Sequence, residues 1–402
     1  MAKEVQNLED LDRCNEAFGR CDNGHHGISR RDFIKHTSIA AAGVASYAFS
    51  SQVMAGEPSN KGSLSGAGEK GNQPGIKVIE SGIIDVHHHI IPREYVDALA
   101  KKGIGAALGM TFPHWDAEKT LELMDANDIA TAMVSISAPG VYFSNGPDAM
   151  SFARDLAKRV NEIAAQLVQT YPNRFGVFAT LPLPNIDDSL REIEYAVDVL
   201  KLDGIVLLSN YDGYYLGDQK FDEVLLELNR RKTAVFIHPQ TPPGFDQIKI
   251  GLPAYAFDVC FDTTRAAYSL ILNGMIEKYP DIRFILAHAG GTVPYLASRV
   301  RLVNLAVPEV AKNMPKGLEY YLNKFYYDTA LSAYPATFAC LEKLVQGTQI
   351  LFGSDYVFAP APAISLTVKG IREYKGFDKE AVGAIERGNA IALFPRLEKE
   401  IK

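Results

Sequence analysis

From residue 76 onward, short apolar runs alternate with longer stretches in which apolar side chains recur every three or four positions. The runs span Gly82–His87, Ala130–Ser137, Phe175–Leu181, Gly204–Ser209, Ala234–His238, Ile282–His288, Phe325–Thr329 and Ile350–Asp355, and they predict strands. Helical patterns lie between them, among others at Ala149–Thr170, Asp188–Leu200, Phe221–Arg231, Thr263–Lys278 and Pro335–Val345. Turn-forming clusters mark the joins, as in Pro182-Leu-Pro-Asn185, Asn210-Tyr-Asp-Gly213 and Pro239-Gln-Thr-Pro-Pro243. Strands alternating with helices imply βαβ units and a parallel sheet. Eight such units fit an α/β chain folded as a (β/α)8 TIM barrel over residues 76–402. A doubly wound open sheet shares this alternation. However, no Gly-x-Gly-x-x-Gly follows an early strand, and the sequence has no P-loop.

The first 75 residues have a different texture. Ser29-Arg-Arg-Asp-Phe-Ile-Lys35 precedes Ser38–Phe49, a weakly apolar run. That run is too short for a membrane span, which needs about 20 residues. With Val53-Met-Ala55 as a small-residue cleavage site, residues 1–55 read as a secretory signal. Arg30-Arg31, the apolar pair Phe33-Ile34 and Lys35 resemble a twin-arginine export signal. The expectation is export of an already folded chain by the twin-arginine machinery, to the periplasm or outside of a bacterium. Residues 56–75 are Gly/Ser-rich, nearly free of large apolar side chains, and read as a flexible linker.

Composition excludes more than it identifies. Of 402 residues, 47% are apolar and 22% charged, which rules out collagen-like, disordered and small disulfide-rich classes. Lysine and arginine total 41 against 48 acidic residues, so the net charge of −7 offers nucleic acid no basic footprint. Cys14 and Cys21 fall in the leader, and Cys260 and Cys340 read as buried small hydrophobes.

The histidines carry the chemistry. His87, His88, His89, His238 and His288 all lie at or just beyond the carboxyl end of an expected strand, the face where barrel enzymes place their active sites. In Ile83-Ile-Asp-Val-His-His-His89, strand periodicity turns His87 and His89 one way and His88 the other, so two imidazoles can share one metal ion. Asp85 is placed either to fix a ligand tautomer or to support the backbone. His238 ends strand 5, His288 ends strand 6 and Asp355 ends strand 8. Together they add a third neutral ligand, a carboxylate and a spare histidine, a set suited to metal-assisted chemistry. Imidazole with a carboxylate suits zinc, and also manganese, iron or cobalt.

Asp-x-His-x-His on strand 1, His-Pro on strand 5, Ala-His-Ala-Gly-Gly on strand 6 and Gly-Ser-Asp-Tyr on strand 8 resemble the amidohydrolase superfamily. Within it they resemble the amidohydrolase-related family 2 branch, which holds aminocarboxymuconate-semialdehyde decarboxylase and the 6-methylsalicylate type of decarboxylase. The likeness runs from about residue 83 to 395 and includes Trp115-Asp116, Tyr171–Phe175 and Phe261–Arg265. It implies that His87, His89, His238 and Asp355 hold one divalent metal, zinc first and manganese second, with His288 and Asp355 as the catalytic acid/base pair. Arg299 matches an arginine that reaches the substrate carboxylate across a dimer interface, so a homodimer or higher homo-oligomer is implied. Two departures stand out. Strand 4 ends Leu207-Leu-Ser-Asn210, without the lysine that bridges two metals in many hydrolases of the superfamily. Where the muconate decarboxylase carries an arginine before its Trp-Asp pair, this chain has Thr111-Phe-Pro-His114. His114 is then either part of substrate recognition, with Trp115 and Tyr356, or a loop residue.

The reading that follows is non-oxidative decarboxylation of a small aromatic or enol-like carboxylic acid, a 6-methylsalicylate-like hydroxybenzoate being the specific expectation. Protonating the carboxyl-bearing ring carbon makes a ketone-like intermediate that sheds CO2 and regains aromaticity; His288 or Asp355 delivers the proton. Phe112, Trp115, Tyr142, Phe143 and Tyr356 are available to wall the ring. The same ligands also suit a mononuclear lactonase, amidohydrolase or hydratase that activates water. A binding protein without turnover would have little use for His288.

Overall fold

A computed structural model describes residues 82–143 and 146–399; the expected leader and linker lie outside the described residues. Eight parallel strands follow one another round one sheet in chain order. They are β1 (Ile83–His89), β2 (Ile129–Ser135), β3 (Phe175–Thr180), β4 (Gly204–Leu208), β5 (Ala234–His238), β6 (Arg283–Leu286), β7 (Tyr326–Asp328) and β8 (Ile350–Leu351). This is the TIM barrel that the strand–helix alternation predicts. Its main helices are α1 (Arg93–Lys101), α2 (Ala117–Ala126), α3 (Ala149–Thr170), α4 (Ile186–Glu194), α5 (Asp222–Arg230), α6 (Asp258–Leu272), α7 (Val293–Arg301), α8 (Pro335–Glu342) and α9 (Ala361–Glu373).

The seam between β8 and β1 closes the barrel. β8 is two residues long, far short of the expected Ile350–Asp355, because the chain leaves the pleat at Gly353 and reaches a positive φ of 61° at Asp355. The extended segment after it still pairs with β1. Val86 N donates to Phe352 O at 2.9 Å, Asp355 N to His87 O at 2.8 Å and His89 N to Tyr356 O at 2.6 Å. These bonds carry β1 on to His89, two residues past its expected end.

Two apolar layers sit on either side of the sheet. Inside, Ile84, Val86, Met133, Phe178, Val206, Phe236, Ile285 and Leu351 fill the barrel, and Leu393, Phe394 and Leu397 join the same cluster. Outside, the alternate strand residues meet the helices; α3 presents Ala153, Leu156, Ala157, Val160 and Ala164 on one stripe. Asp116 caps α2 by accepting from Lys119 N, and Asn185 caps α4 by accepting from Asp188 N. The expected helix Thr263–Lys278 starts earlier, at Asp258, and breaks after Leu272, where Gly274 adopts a left-handed φ of 77°. Cys260 and Cys340 are half-buried free thiols, less enclosed than their composition suggests. Among the described residues, no helix is long and apolar enough to cross a membrane.

Candidate metal centre and active site

His87 and His89 leave β1 on the same side, as strand periodicity predicts, and their Nε2 atoms lie 3.1 Å apart. His238 arrives from the end of β5 and Asp355 from the seam beyond β8. One ligand atom from each of these four residues lies within 4.8 Å of every other, and all four are buried. The His87 ring packs against Phe236 of the barrel interior, with centroids 4.8 Å apart, so the cluster rests directly on the core.

The far side of each imidazole settles its tautomer. His87 Nδ1 donates to Asp328 Oδ2 at 2.7 Å, His89 Nδ1 to the Ser135 carbonyl at 3.2 Å and His238 Nδ1 to the Pro239 carbonyl at 2.9 Å. Each partner accepts only, so each Nδ1 carries a proton; His89 and His238 present an Nε2 lone pair directly, and His87 does so once its second proton leaves. Three Nε2 atoms and a carboxylate oxygen then converge, an arrangement that a divalent cation completes once it displaces the second proton that His87 holds in the metal-free cluster. The donor set therefore fits one metal ion.

Asp355 divides its two oxygens. Oδ1 lies 3.1 Å from His89 Nε2 and 3.3 Å from His87 Nε2, while Oδ2 lies 3.2 Å from His288 Nε2. Burial disfavours its charge, but His87 and the hydrogen bonds of His288, His87 and His89 outweigh that and hold its carboxyl well below the usual carboxylate range. For His87, burial works against protonation, yet Asp328 and Asp355 override it and push the imidazole up to about 10. His89 is lowered, chiefly by burial, and His238 is lowered further by burial and by the neighbouring imidazoles.

Of the two roles open to Asp85, the structure places it in the backbone one. Its oxygens accept from His87 N and Ser354 N, both at 3.0 Å, and from the Ser354 hydroxyl and His88 Nδ1. It thereby staples the seam that carries Asp355. Asp328 orients His87 instead, a residue sequence reasoning passed over; its only signal was an aspartate within the expected strand Phe325–Thr329. Asp262, from the Phe261–Arg265 motif, is a second such residue. It accepts from Gln240 N at 3.0 Å, from Tyr215 OH at 2.6 Å and from the Ser209 hydroxyl, fixing the turn that follows His238.

A cavity of about 250 Å³ opens onto the cluster. His238, His288, Asp355 and Ser137 supply its polar floor, and Leu108, Met110, Tyr255, Val259, Leu331 and Phe358 are among its apolar walls. No lysine or arginine lines it among the described residues. Trp115, Tyr356, His114 and Arg299 do not line it either. Trp115 and Tyr356 are half-buried in the packing outside the barrel, the Tyr356 ring 5.2 Å from that of His88, while His114 and Arg299 are exposed. Phe112, Tyr142 and Phe143 also pack against the outer apolar layer.

A parallel barrel whose mouth holds three converging imidazoles and a carboxylate, with a fourth histidine beside them, defines a class of metal-dependent barrel protein. The amidohydrolase family profile matches residues 84–396, and the chain belongs to that family. It is 38% identical to Decarboxylase macB of Penicillium terrestre, over 79% of this chain and 96% of that one. It is 35% identical to the 6-methylsalicylic acid decarboxylase of Penicillium expansum, over 78% of this chain and 97% of that one. The crystal structure of an amidohydrolase II superposes with a TM-score of 0.72 at 28% identity, covering 78% of this chain and 99% of that one. Both Penicillium relatives are decarboxylases by name.

Proposed function

We propose that this chain is a metal-dependent, non-oxidative decarboxylase of an ortho-hydroxybenzoate of the 6-methylsalicylate type. The carrying observation is the split carboxylate of Asp355, one oxygen among the metal-ligating imidazoles and the other on His288, at the floor of a largely apolar cavity. The relatives' named activities support the same reading. His87, His89, His238 and Asp355 would hold a divalent ion, zinc first and manganese second, which would supply Lewis-acid polarisation of the substrate's oxygens. The residues do the rest. The apolar walls hold the ring and exclude water. The His288–Asp355 pair holds a proton at the cavity floor and passes it to the carboxyl-bearing ring carbon. The bond to the carboxylate then breaks, its electron pair returns to the ring, CO2 leaves and a C–H bond stands in its place.

Two further parts of the reading concern the molecule's surroundings. Among the described residues the cavity has no cation of its own, and Arg299 is exposed on α7 beside the exposed Tyr295 and Leu302, which supports a homo-oligomer in which a second copy supplies the arginine. Arg30-Arg31 supports twin-arginine export to the periplasm, with cleavage after Ala55. Changing both arginines to lysine should leave the chain in the cytoplasm.

The deciding experiment is proton NMR in D2O on the full-length chain loaded with zinc or manganese, offered salicylate, 6-methylsalicylate, 2,6-dihydroxybenzoate and several lactones. Deuterium appearing at the former carboxyl-bearing carbon, abolished by chelator and by His288→Ala, supports the proposal. Lactone opening with every hydroxybenzoate untouched sinks it.

A further inference from the structure

Asp328, at the end of β7, is fully buried and faces two functional histidines at once. Its Oδ2 accepts from His87 Nδ1 at 2.7 Å, and its Oδ1 accepts from the backbone N–H of His288 at 2.8 Å and of Ala330 at 3.0 Å. The His288 bond bears on a strained turn. His288, Ala289, Gly290 and Gly291 run through positive φ values of 57°, 55°, 73° and 62°. For a histidine or alanine that conformation costs on the order of 1 kcal/mol, so it persists only where its surroundings impose it. A charge-assisted bond at the first residue of the turn is such an imposition. The backbone packs closely beside the carboxylate: a Cβ added at Gly353 would stand 3.1 Å from both Asp328 Cβ and Cγ and 2.9 Å from His87 Cβ, so glycine is the residue that fits there.

We propose that Asp328 is a positioning residue that sets the metal ligand His87 and the acid/base His288 jointly, one carboxylate oxygen to each. Only a carboxylate meets both demands. An amide in its place has one oxygen and one NH2 group. Whichever way it turns, the NH2 faces either His87 Nδ1–H or the paired N–H groups of His288 and Ala330, donor against donor. The His87 half of the proposal requires no substrate, so it stands or falls apart from the decarboxylase reading; the His288 half rests on that reading.

The test compares the full-length chain with Asp328→Asn, measuring zinc affinity by competition with a chromophoric chelator and confirming a cooperative melt for each protein. Asp328→Asn should bind zinc 10- to 100-fold more weakly. In a His87→Ala background the same change should cost less than about threefold, because the residue acts through His87. Zinc affinity within about twofold of the parent, or an undiminished loss in the His87→Ala background, overturns the first half. At saturating zinc, with whichever hydroxybenzoate the parent turns over, kcat should stay on the order of 10- to 100-fold low with KM little changed. Full recovery of kcat by zinc overturns the second half. Should Asp328→Asn fail to fold, Asp328→Glu decides the matter. It keeps both acceptors but moves them by a methylene, so its zinc affinity should fall measurably, and parental affinity there overturns the proposal.

Discussion

Metal loading of this centre should release one proton, and one only, from about pH 7 to 9. Without metal, His87 is pushed up to about 10 by Asp328 and Asp355 against the opposing effect of burial. His89 and His238 are lowered and neutral, and Asp355 is ionised. At pH 7.5 the metal-free cluster therefore carries one proton, on His87, and a cation can take the Nε2 lone pair only by expelling it. Displacing it costs about 3 kcal/mol at that pH, and zinc affinity should climb about tenfold per pH unit from about pH 7 to 9. Three ordinary histidines would behave differently: together they would release about 0.3 of a proton at pH 7.5 and nearly three at pH 5.5. Titration calorimetry in two buffers of different ionisation enthalpy counts the protons at each pH. His87→Ala corrects for any proton lost from metal-bound water and should lower the count by about one. A count near 0.3 at pH 7.5, or one rising toward three at pH 5.5, would refute the electrostatic account of the cluster. The same shift links to folding. Since the folded value of His87 lies above the unfolded one, its contribution to the metal-free fold is complete below about pH 6.5 and is lost as the pH rises through 10.

Three further outcomes follow from other parts of the barrel. Asp355→Asn keeps the shape but removes the charge from both metal ligation and the His288 contact, so turnover should fall by at least 100-fold and zinc affinity with it; near-parental turnover would remove Asp355 from the mechanism. Glu192, which accepts from Asn161 in the helix layer, is pushed up to about 7 by burial, so wild-type stability should decline as the pH rises from about 4.5 to 7. Glu192→Gln should flatten that slope and gain about 2 kcal/mol at pH 8, read from urea midpoints at pH 5 and 8, and parallel curves would contradict it. Gly291 has a φ of 62° and a Cβ there would stand 2.0 Å from the Cys260 carbonyl oxygen, whereas Gly383 is helical with nothing near. Gly291→Ala should therefore cost at least about 2 kcal/mol by denaturant titration, and Gly383→Ala should gain about 0.5 to 1 kcal/mol.

How much of this was legible in the sequence depended on whether a feature is local. The barrel was, because eight apolar runs alternating with amphipathic stretches require little knowledge of distant contacts. So were His87, His89, His238, His288 and Asp355, since a polar side chain closing an apolar run has few places to go except the mouth of the barrel. Strand ends were harder. β8 looked six residues long because its pairing partner, β1, accepts the extended segment 352–356 whether or not it keeps a regular pleat. The partners that orient the imidazoles were not legible at all. Asp328 lies 241 residues from His87, and the carbonyls of Ser135 and Pro239 have no side-chain signature.

The cavity walls were illegible for a related reason. Leu108, Met110, Tyr255 and Leu331 come from the connections that follow the barrel strands, whose meeting over the barrel is decided by the whole fold, whereas Trp115 and Tyr356, though beside recognisable motifs, pack outside it. Motif proximity along the chain thus led to the residues that meet at the barrel mouth, which a strand end must aim inward, and not to the apolar residues that line the cavity. That difference has a chemical consequence. The ligand set fixes what the centre can polarise, and it is shared by decarboxylation and hydrolysis alike. The apolar loops decide whether water reaches it. On the proposed function, a proton held between His288 and Asp355 in a cavity of about 250 Å³ with largely apolar walls would be delivered to whatever carbon the walls hold above it. On that function, polarisation of the substrate is then a property of the strand ends, while the choice of substrate and the exclusion of water are properties of the segments that wall the cavity.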